Sequence, residues 1–372
     1  MRSIYYFPIL ISNFIINFIK KIFWNNNFQA SKIKKICIYR IGSLGDICCS
    51  VPALYNIKKN FQDSEIIFLT SSGAGNSFSA ESVLKHLNLV DHFISYKKIT
   101  TKITKQLSQL NIDLFIELPT EKSNLYRQLR NMFFAYFIGA KNGFGWKLIS
   151  FKPFRKKLNQ YFIYDNEVIR LNNIINDNLN KLSKVEYPNN FNKSKEINVL
   201  NKFQLKKNQY LCISFGARKE SKIWPPENFA QLVNKILDEF NFEIIFLGSE
   251  AEKDLYFRII DQVHNSKIKN IKNLISKTDI IESMYILKNS HLLISNDTGT
   301  QHLASITETK ILSIFSSRDF KNKWYPFGDK NIILRSDINC QVCLLDLCPF
   351  DNKCLKLISP NQVYNSFKLL IN

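Results

Sequence analysis

The sequence predicts an α/β protein of two domains, each a parallel β-sheet layered with helices. Short buried strand patterns alternate with helical patterns in both halves of the chain, which is typical of βαβ units. The length of 372 residues fits two domains at roughly 100–200 residues each, and a hydrophobic content of 45% excludes wholesale disorder. No uninterrupted apolar run reaches about 18 residues, so a membrane-spanning helix is not expected.

In the first half, a buried strand over Lys34–Tyr39 leads through the turn IGSLGD into a helix over Ile47–Asn60. Glu65–Thr70 is the next strand, and Asp113–Leu118 is a further one that ends at Pro119. This strand–turn–helix–strand order predicts a parallel sheet.

A polar stretch rich in Asn and Lys, Asn180–Asn208, is the predicted linker. The alternation then resumes with a helix over Asn228–Phe240 and with four strands: Gln209–Phe215, Phe242–Leu247, His291–Ser295 and Ile311–Phe315. Two domains that face each other would leave a cleft at the carboxyl ends of their strands, where ligands of open α/β sheets bind. The predicted divisions are an apolar and basic N-terminal segment (1–30), a first domain (31–190), a second domain (205–338) and a C-terminal segment with clustered cysteines and a helix (339–372).

The net charge of +20 has two sources. Of the 51 basic residues 41 are Lys, a preference that an AT-rich genome produces. The rest of the excess is local, because residues 1–60 carry nine Lys or Arg against one acid, Asp46, and residues 121–157 carry nine against Glu121. Both segments interleave these charges with aromatic residues, which suits a surface on anionic lipid headgroups. Only the total charge suggests nucleic acid, and we expect no nucleic-acid partner.

Residues 4–19 are almost wholly apolar and are followed by Lys20 and Lys21. No small-residue cleavage site follows, so a signal peptide is not expected. Two interpretations remain, an interfacial helix at a membrane surface or a helix docked on the body of the fold.

Four of the eight cysteines lie in apolar contexts typical of core residues: Cys37, Cys48, Cys49 and Cys212. The other four cluster within 15 residues: Cys340, Cys343, Cys348 and Cys354. Four such thiols could hold a structural Zn²⁺, form disulfides or stay reduced, and the absence of a secretory signal disfavours disulfides.

The turn from Arg40 to Asp46 leaves a strand and opens a helix, where main-chain N–H groups and the helix dipole favour an anion. Its spacing is not that of a dinucleotide fingerprint. Asp46 at this turn is either a general base or a cap of the helix.

Three motifs of the second half also follow strands. SNDTGTQH places Thr298–Thr300 at a helix start, where N–H groups and hydroxyls could cradle a diphosphate, and His302 is either catalytic or structural. Lys222 in SKIWP could neutralise a leaving phosphate, although a lone Lys is usually solvated. Glu252 in GSEAE could hold ribose hydroxyls or complement the first turn of a helix.

RIGSLGD with Pro52, SKIWP, GSEAE and SNDTGTQHLA, in this order and spacing, resemble glycosyltransferase family 9, the ADP-heptose:lipopolysaccharide heptosyltransferases. LPTEK…FIGAKNGFGW over Leu118–Trp146 is similar to the acceptor-domain pattern of that family. The resemblance covers about residues 34–370. FGARKESK and the pair Thr300-Gln301 depart from the usual residues of the family, at positions that concern the donor sugar.

The resemblance implies a GT-B fold, two Rossmann-like domains facing across a cleft, with an N-terminal acceptor domain and a C-terminal nucleotide-sugar domain. It implies inverting transfer that requires no catalytic metal and no cofactor. Asp46 then matches the general base. The residues on the donor side are the phosphate-binding Lys222, the ribose-binding Glu252, the sugar-contacting Asp297 and the diphosphate loop Thr298, Gly299 and Thr300, with His302 beside them.

The implied donor is ADP-heptose or another nucleotide-diphosphate sugar. The implied acceptor is a lipid A-core saccharide of lipopolysaccharide or another lipid-linked glycan, on the side of Arg40, Arg127 and Arg130. We expect a cytoplasmic enzyme, held as a peripheral protein on the inner face of the cytoplasmic membrane. The alternatives are a GT-B nucleotide-sugar epimerase or hydrolase, which needs no second sugar, and a non-catalytic nucleotide-sugar-binding protein at the membrane.

Overall fold

A computed structural model of the chain describes residues 2–24, 28–71, 77–121, 123–150 and 164–371. The chain divides into two compact units, Met1–Asn190 and Phe191–Asn372. The N-terminal apolar segment belongs to the first unit, and the cysteine cluster and C-terminal helix belong to the second. Part of the predicted basic segment 121–157, namely residue 122 and residues 151–157, lies outside the described residues.

The first unit holds a sheet of five parallel strands: β1 Lys35–Tyr39, β2 Glu65–Ser71, β3 His92–Tyr96, β4 Leu114–Glu117 and β5 Gly143–Phe144. Their order is β3-β2-β1-β4-β5, and Ile38 in β1 lies between Phe68 and Ile116 of its neighbours. The predicted strands β1, β2 and β4 are confirmed. The other two escaped prediction because β3 is only partly buried and β5 has two residues.

Seven helices of the first unit surround this sheet within the described residues: α1 Arg2–Phe23, α2 Leu44–Cys48, α3 Val51–Asn60, α4 Ser77–His86, α5 Thr101–Ser108, α6 Leu125–Phe137 and α7 Glu167–Leu179. The predicted single helix over Ile47–Asn60 is wrong, since α2 and α3 are separate. The Ser50 hydroxyl donates to the carbonyl of Ile47 at 2.6 Å, and Pro52 lies in the first turn of α3, where a missing N–H costs nothing.

The second unit holds a sheet of six parallel strands: β6 Tyr210–Ser214, β7 Glu243–Phe246, β8 Ile271–Asn273, β9 Leu293–Asn296, β10 Ile311–Phe315 and β11 Ile332–Arg335. Their order is β11-β10-β9-β6-β7-β8. The four strands predicted for this half are confirmed, and β8 and β11 are additional.

The helices of the second unit are α8 Lys193–Lys202, α9 Pro226–Glu239, α10 Lys253–Ile260, α11 Ile280–Asn289, α12 Gly299–Ile306, α13 Lys353–Lys356 and α14 Pro360–Ile371. Helix α8 lies inside the predicted linker. Its sequence is polar because Val199 is its one buried residue, and Asn192 caps it by accepting from the N–H of Lys195 at 3.0 Å.

Helix α1 is docked on the first unit along one face. Ile9 and Ile16 are buried there, and Asn13 exchanges two hydrogen bonds with the main chain of Leu148, at 2.9 and 2.8 Å. Trp24 just beyond α1 stacks on Trp146 at 5.1 Å. The docked interpretation is therefore confirmed for this face, although the helix is also long and apolar enough, by length and composition, to cross a membrane.

Candidate active site

Asp46 lies in the first turn of α2, directly after the carboxyl end of β1. Its Oδ2 atom accepts from the N–H of Ser43 at 2.8 Å and from the hydroxyl of Ser43 at 2.7 Å, which forms a capping box. Gly42 is required beside it, because a Cβ atom there would lie 2.3 Å from the Cβ of Asp46. The cap occupies one carboxyl oxygen, so the cap and the general base do not exclude each other.

Arg40 holds the Asp46 turn in place. The Nε atom of Arg40 donates to the carbonyl of Asp46 at 2.9 Å, Nη1 donates to the carbonyl of Leu118 at 3.3 Å, and Nη2 pairs with Glu167 at 3.2 Å. The side chains of Arg40 and Glu167 are 0% and 1% exposed. Arg40 therefore does not present its charge to a membrane surface, and it acts as a brace between β1, β4 and α7.

A pocket of about 290 Å³ opens at the carboxyl ends of β1 and β4. It brings together Arg40, Arg127 and Arg130, the three residues predicted on the acceptor side. Arg127 and Arg130 are exposed on α6, and Thr120 and Ser123 add hydroxyl groups to the wall. The pocket also contains a carboxyl group that the sequence analysis did not select, Glu117.

Lys222 in the second unit is paired with two acids. Its Nζ atom lies 2.5 Å from Oδ2 of Asp297, the residue that follows β9, and 3.5 Å from Oδ2 of Asp319. Arg318 contacts the same Oδ2 atom of Asp319 through its Nη1 atom at 2.6 Å. Burial lowers the pKa of Lys222, but the carboxylates of Asp297 and Asp319 outweigh burial and raise it overall. Lys222 is therefore a fixed cation rather than a solvated one.

Thr298–Thr300 form the start of α12, beside Asp297. The Thr298 side chain does not cap the helix, so the first N–H groups of α12 lack a side-chain partner from that residue. His302 is 7% exposed and lies edge-on to Trp324 at 6.5 Å, which favours its structural interpretation. Gln301 is buried and accepts from the hydroxyl of Ser313 at 2.5 Å.

Glu252 repeats in the second unit the arrangement of Asp46. It accepts from the N–H of Ser249 at 2.6 Å and from its hydroxyl at 2.5 Å in a capping box after β7. Gly216 after β6 is required beside it, since a Cβ atom there would lie 2.2 Å from the Cγ of Glu252. Each unit therefore places one capped acid under a glycine at the carboxyl edge of its sheet.

The four clustered cysteines line one small cavity of about 20 Å³: Cys340, Cys343, Cys348 and Cys354. All eight cysteines of the chain are free thiols. No group of three His, Cys, Asp or Glu side chains within the described ranges is arranged to hold a metal ion, so the zinc hypothesis stays a prediction. The segment also contacts the Lys222 loop, because Ser221 donates from its hydroxyl to the carbonyl of Leu345 at 2.7 Å.

The sequence analysis missed three groups: Glu117, Glu167 and Asp319. Glu117 ends β4 and Asp319 follows β10, so the rule of examining residues just after strands would have found both. Glu167 begins a helix distant in sequence from Arg40, and only the folded chain shows their pairing.

Two all-parallel α/β units, with acids and fixed cations at the carboxyl edges of their sheets, fit an enzyme of the GT-B fold class. The family model for glycosyltransferase family 9 (heptosyltransferase) matches residues 101–354. The chain therefore belongs to glycosyltransferase family 9, and it is a glycosyltransferase.

Named relatives agree with this membership. The chain is 24% identical over 343 residues to lipooligosaccharide heptosyltransferase 2 of Campylobacter jejuni, covering 91% of this chain and 98% of the relative. It is 27% identical over 301 residues to lipopolysaccharide heptosyltransferase 1 of Campylobacter coli, covering 76% and 84%. The solved structure of the E. coli ADP-heptose LPS heptosyltransferase II shares the fold with a TM-score of 0.67 at 16% identity, covering 91% and 98%.

Proposed function

We propose that the chain transfers heptose from ADP-heptose to a sugar of the lipopolysaccharide core, with inversion at the anomeric carbon. The relatives named above carry this activity in their names, and the family membership extends over most of the chain. The second unit binds the donor and the first binds the acceptor. An epimerase or hydrolase and a non-catalytic binding protein are not favoured by these relatives.

The observation that carries the proposal is the cation Lys222, fixed between Asp297 and Asp319 next to the start of α12. A cation and main-chain N–H groups at one place suit the diphosphate of the donor, which carries two negative charges when bound and gains a third as it leaves. In this role they stabilise the charge that develops when the bond to the sugar breaks. Glu252, at the ends of β6 and β7, is the proposed ribose contact, and Asp297 is the proposed sugar contact.

Asp46 is the proposed general base. Its Oδ2 atom is used by the cap, while Oδ1 accepts no hydrogen bond from the described part of the chain and is available to the acceptor hydroxyl. The acceptor oxygen loses its proton to Asp46 and forms a bond to the anomeric carbon as the bond to ADP breaks. Positioned proton transfer contributes about 10²–10⁴-fold in rate.

Asp46→Asn tests this role without removing the cap, because the amide oxygen of Asn still accepts from Ser43. We expect ADP binding to stay unchanged, by calorimetry, and ADP release from ADP-heptose plus acceptor to fall about 10²–10⁴-fold. Asp279→Asn is the matched control, since Asp279 caps α11 in a capping box of its own. A folded Asp46→Asn variant with wild-type turnover would refute the assignment.

We also propose that the first unit rests on a membrane surface through α1 and α6. The helices contact each other, as Phe23 stacks on Tyr136 at 4.4 Å. Large apolar side chains remain exposed on both: Phe7, Leu10, Ile11, Phe14, Phe18 and Ile22 on α1, and Tyr126, Phe133, Tyr136 and Phe137 on α6. A contiguous apolar face flanked by Lys20 and Lys21 suits the cytoplasmic leaflet, where a lipid-linked acceptor would be met.

A further inference from the structure

Glu117 is an acid inside an otherwise cationic pocket. It is the last residue of β4, it is 3% exposed, and it lines the 290 Å³ pocket together with Arg127 and Arg130. The third arginine of the pocket, Arg40, is buried, and its guanidinium is already engaged by two main-chain carbonyls and by Glu167, a carboxylate that it shares with Arg170. The charge that the pocket offers to a ligand therefore depends on Arg127, Arg130 and the ionisation of Glu117.

One of the two carboxyl oxygens of Glu117 is satisfied and the other is not. Oε1 accepts from the side-chain amides of Gln128 at 3.0 Å and of Asn131 at 2.9 Å. Oε2 is buried and has no hydrogen-bond partner among the described residues, and the same holds for the indole N–H of Trp146. Because Oε2 is closed off from the pocket, Glu117 acts on a ligand there through its charge rather than by direct contact.

The surroundings keep Glu117 in its acid form near neutral pH. Burial raises the pKa of Glu117 to about 8, and this effect is only partly offset by the side-chain amides of Asn131 and Gln128 and by the charge of Arg130. The remaining titratable groups near it are two tyrosines. The hydroxyls of Tyr39 on β1 and Tyr96 on β3 pair at 2.6 Å, and burial raises the pKa of both, so they stay neutral.

We infer that this pocket binds an oxyanion of the acceptor, a phosphate or carboxylate group, and that Glu117 admits it only while protonated. The neutral acid leaves the positive charges of Arg127 and Arg130 unopposed, whereas the ionised acid repels the anion and attracts Arg130. Arg130 is already linked to Glu117 through Asn131, whose side-chain oxygen accepts from Arg130 at 2.9 Å. Glu117 is thus a specificity residue, and this inference rests on the proposed acceptor role of the first unit.

Sulfate binding to the full chain is the direct test, because sulfate keeps a constant charge across the pH range and any titration must come from the protein. We expect the Kd to weaken about tenfold between about pH 7 and pH 9, as a group with a pKa near 8 loses its proton. Thermal-shift titrations at constant ionic strength give the Kd. Glu117→Gln should bind sulfate with a Kd that does not change over this range.

Two further variants separate the pocket from general effects of charge. Arg130→Gln should weaken sulfate binding at every pH, and Glu186→Gln, a partly exposed acid paired with Lys59 elsewhere in the first unit, should keep the wild-type profile. A flat wild-type profile, a titrating Glu117→Gln variant, or sulfate binding that ignores Arg130→Gln would each overturn the inference.

Two further measurements, the acceptor KM and vesicle binding, identify the molecule that carries the oxyanion. If it belongs to the acceptor saccharide, Glu117→Gln changes the pH dependence of the acceptor KM and leaves vesicle binding unchanged. A change in vesicle binding alone would assign the anion to a phospholipid headgroup and overturn the acceptor assignment. Heptosyl transfer by the wild-type enzyme tests the proposed function separately, so a failure of the proposed function is distinguishable from a failure of the oxyanion-pocket inference.

Discussion

At the scale of single residues, Lys222 shows how a side chain that is ordinary in sequence becomes a fixed charge. Two acids from different loops hold it, Asp297 at 2.5 Å and Asp319 at 3.5 Å. The Lys222 side chain is already ordered by these two acids, so the binding of a diphosphate would not have to restrict its rotamers further. Removal of the Lys222 charge should therefore lower the affinity for the donor nucleotide.

Lys222→Met is expected to weaken ADP binding about 10- to 100-fold, the equivalent of one lost charge-assisted hydrogen bond at about 1.5–3 kcal/mol. Lys219→Met is the matched control, since Lys219 lies in the same loop and its one ion pair within the described residues is with the exposed Asp346. Calorimetric titration with ADP compares the two variants. Equal affinity of both variants and the wild type would contradict the role of Lys222.

Asp46 and Glu252 show how far residue patterns alone can go. Both are the fourth residue of a Ser-x-x-acid motif after a strand, a pattern that predicts a capping box, and both boxes are present. The same pattern cannot tell a cap from a functional acid. The folded chain supplies one further observation that the pattern lacks: a glycine packs against each of these side chains, Gly42 against Asp46 and Gly216 against Glu252.

At the scale of elements, the turn around β5 fixes the wall of the pocket that Glu117 lines. Gly145 has a φ of +105°, and a Cβ atom at this position would lie 2.0 Å from the carbonyl oxygen of Glu117. Both the conformation and the space therefore require glycine. This explains the glycines of the NGFGW sequence, since Trp146 then stacks on Phe115 and on Trp24.

Gly145→Ala is expected to destabilise the first unit by several kcal/mol, because a strained φ is combined with a backbone clash. Gly139→Ala is the control: its φ is +80°, but nothing lies within 4 Å of the added Cβ. That change should cost only about 1–2 kcal/mol. The shift of the urea midpoint, followed by tryptophan fluorescence, measures both. Equal shifts would show that the close contact with Glu117 is not limiting.

At the scale of the whole molecule, the +20 charge and the exposed apolar face of α1 and α6 both support the proposed contact with a membrane. The basic residues beside α1 add electrostatic attraction of about 1 kcal/mol each to the apolar contact with an anionic surface. Binding should therefore need anionic lipid and weaken with salt.

A double variant, Phe14→Glu with Phe18→Glu, is expected to lose binding to vesicles of phosphatidylethanolamine and phosphatidylglycerol in a flotation assay. These side chains are 72% and 59% exposed, so the fold should tolerate the change. Phe257→Glu, at a Phe of the second unit that is 55% exposed, should bind as the wild type does. Vesicle binding that survives the double variant would rule out α1 as the contact.

The sequence by itself determined the fold class, because buried strands of β-branched and apolar residues, such as β1, β6 and β10, carry a local signal that packing does not change. It also indicated the strand-end motifs of Asp46, Lys222 and Thr298–Thr300. It missed β5, the helix inside the linker and the break at Ser50, where short length or exposure hides the pattern.

Only the tertiary structure decided which of these residues act together. Arg40 and Glu167 are distant in sequence, as are Lys222 and Asp297. Lys222 meets Asp297 because the segments that follow the paired parallel strands β6 and β9 leave the sheet at one edge. Arg40 meets Glu167 because the first turn of α7 lies beside the end of β1. Burial is also a property of the folded chain, and it turns Glu117 from a strand residue into a neutral acid within a cationic pocket. The distances between these groups and their removal from water are therefore determined by the tertiary structure and cannot be predicted from the sequence motifs alone.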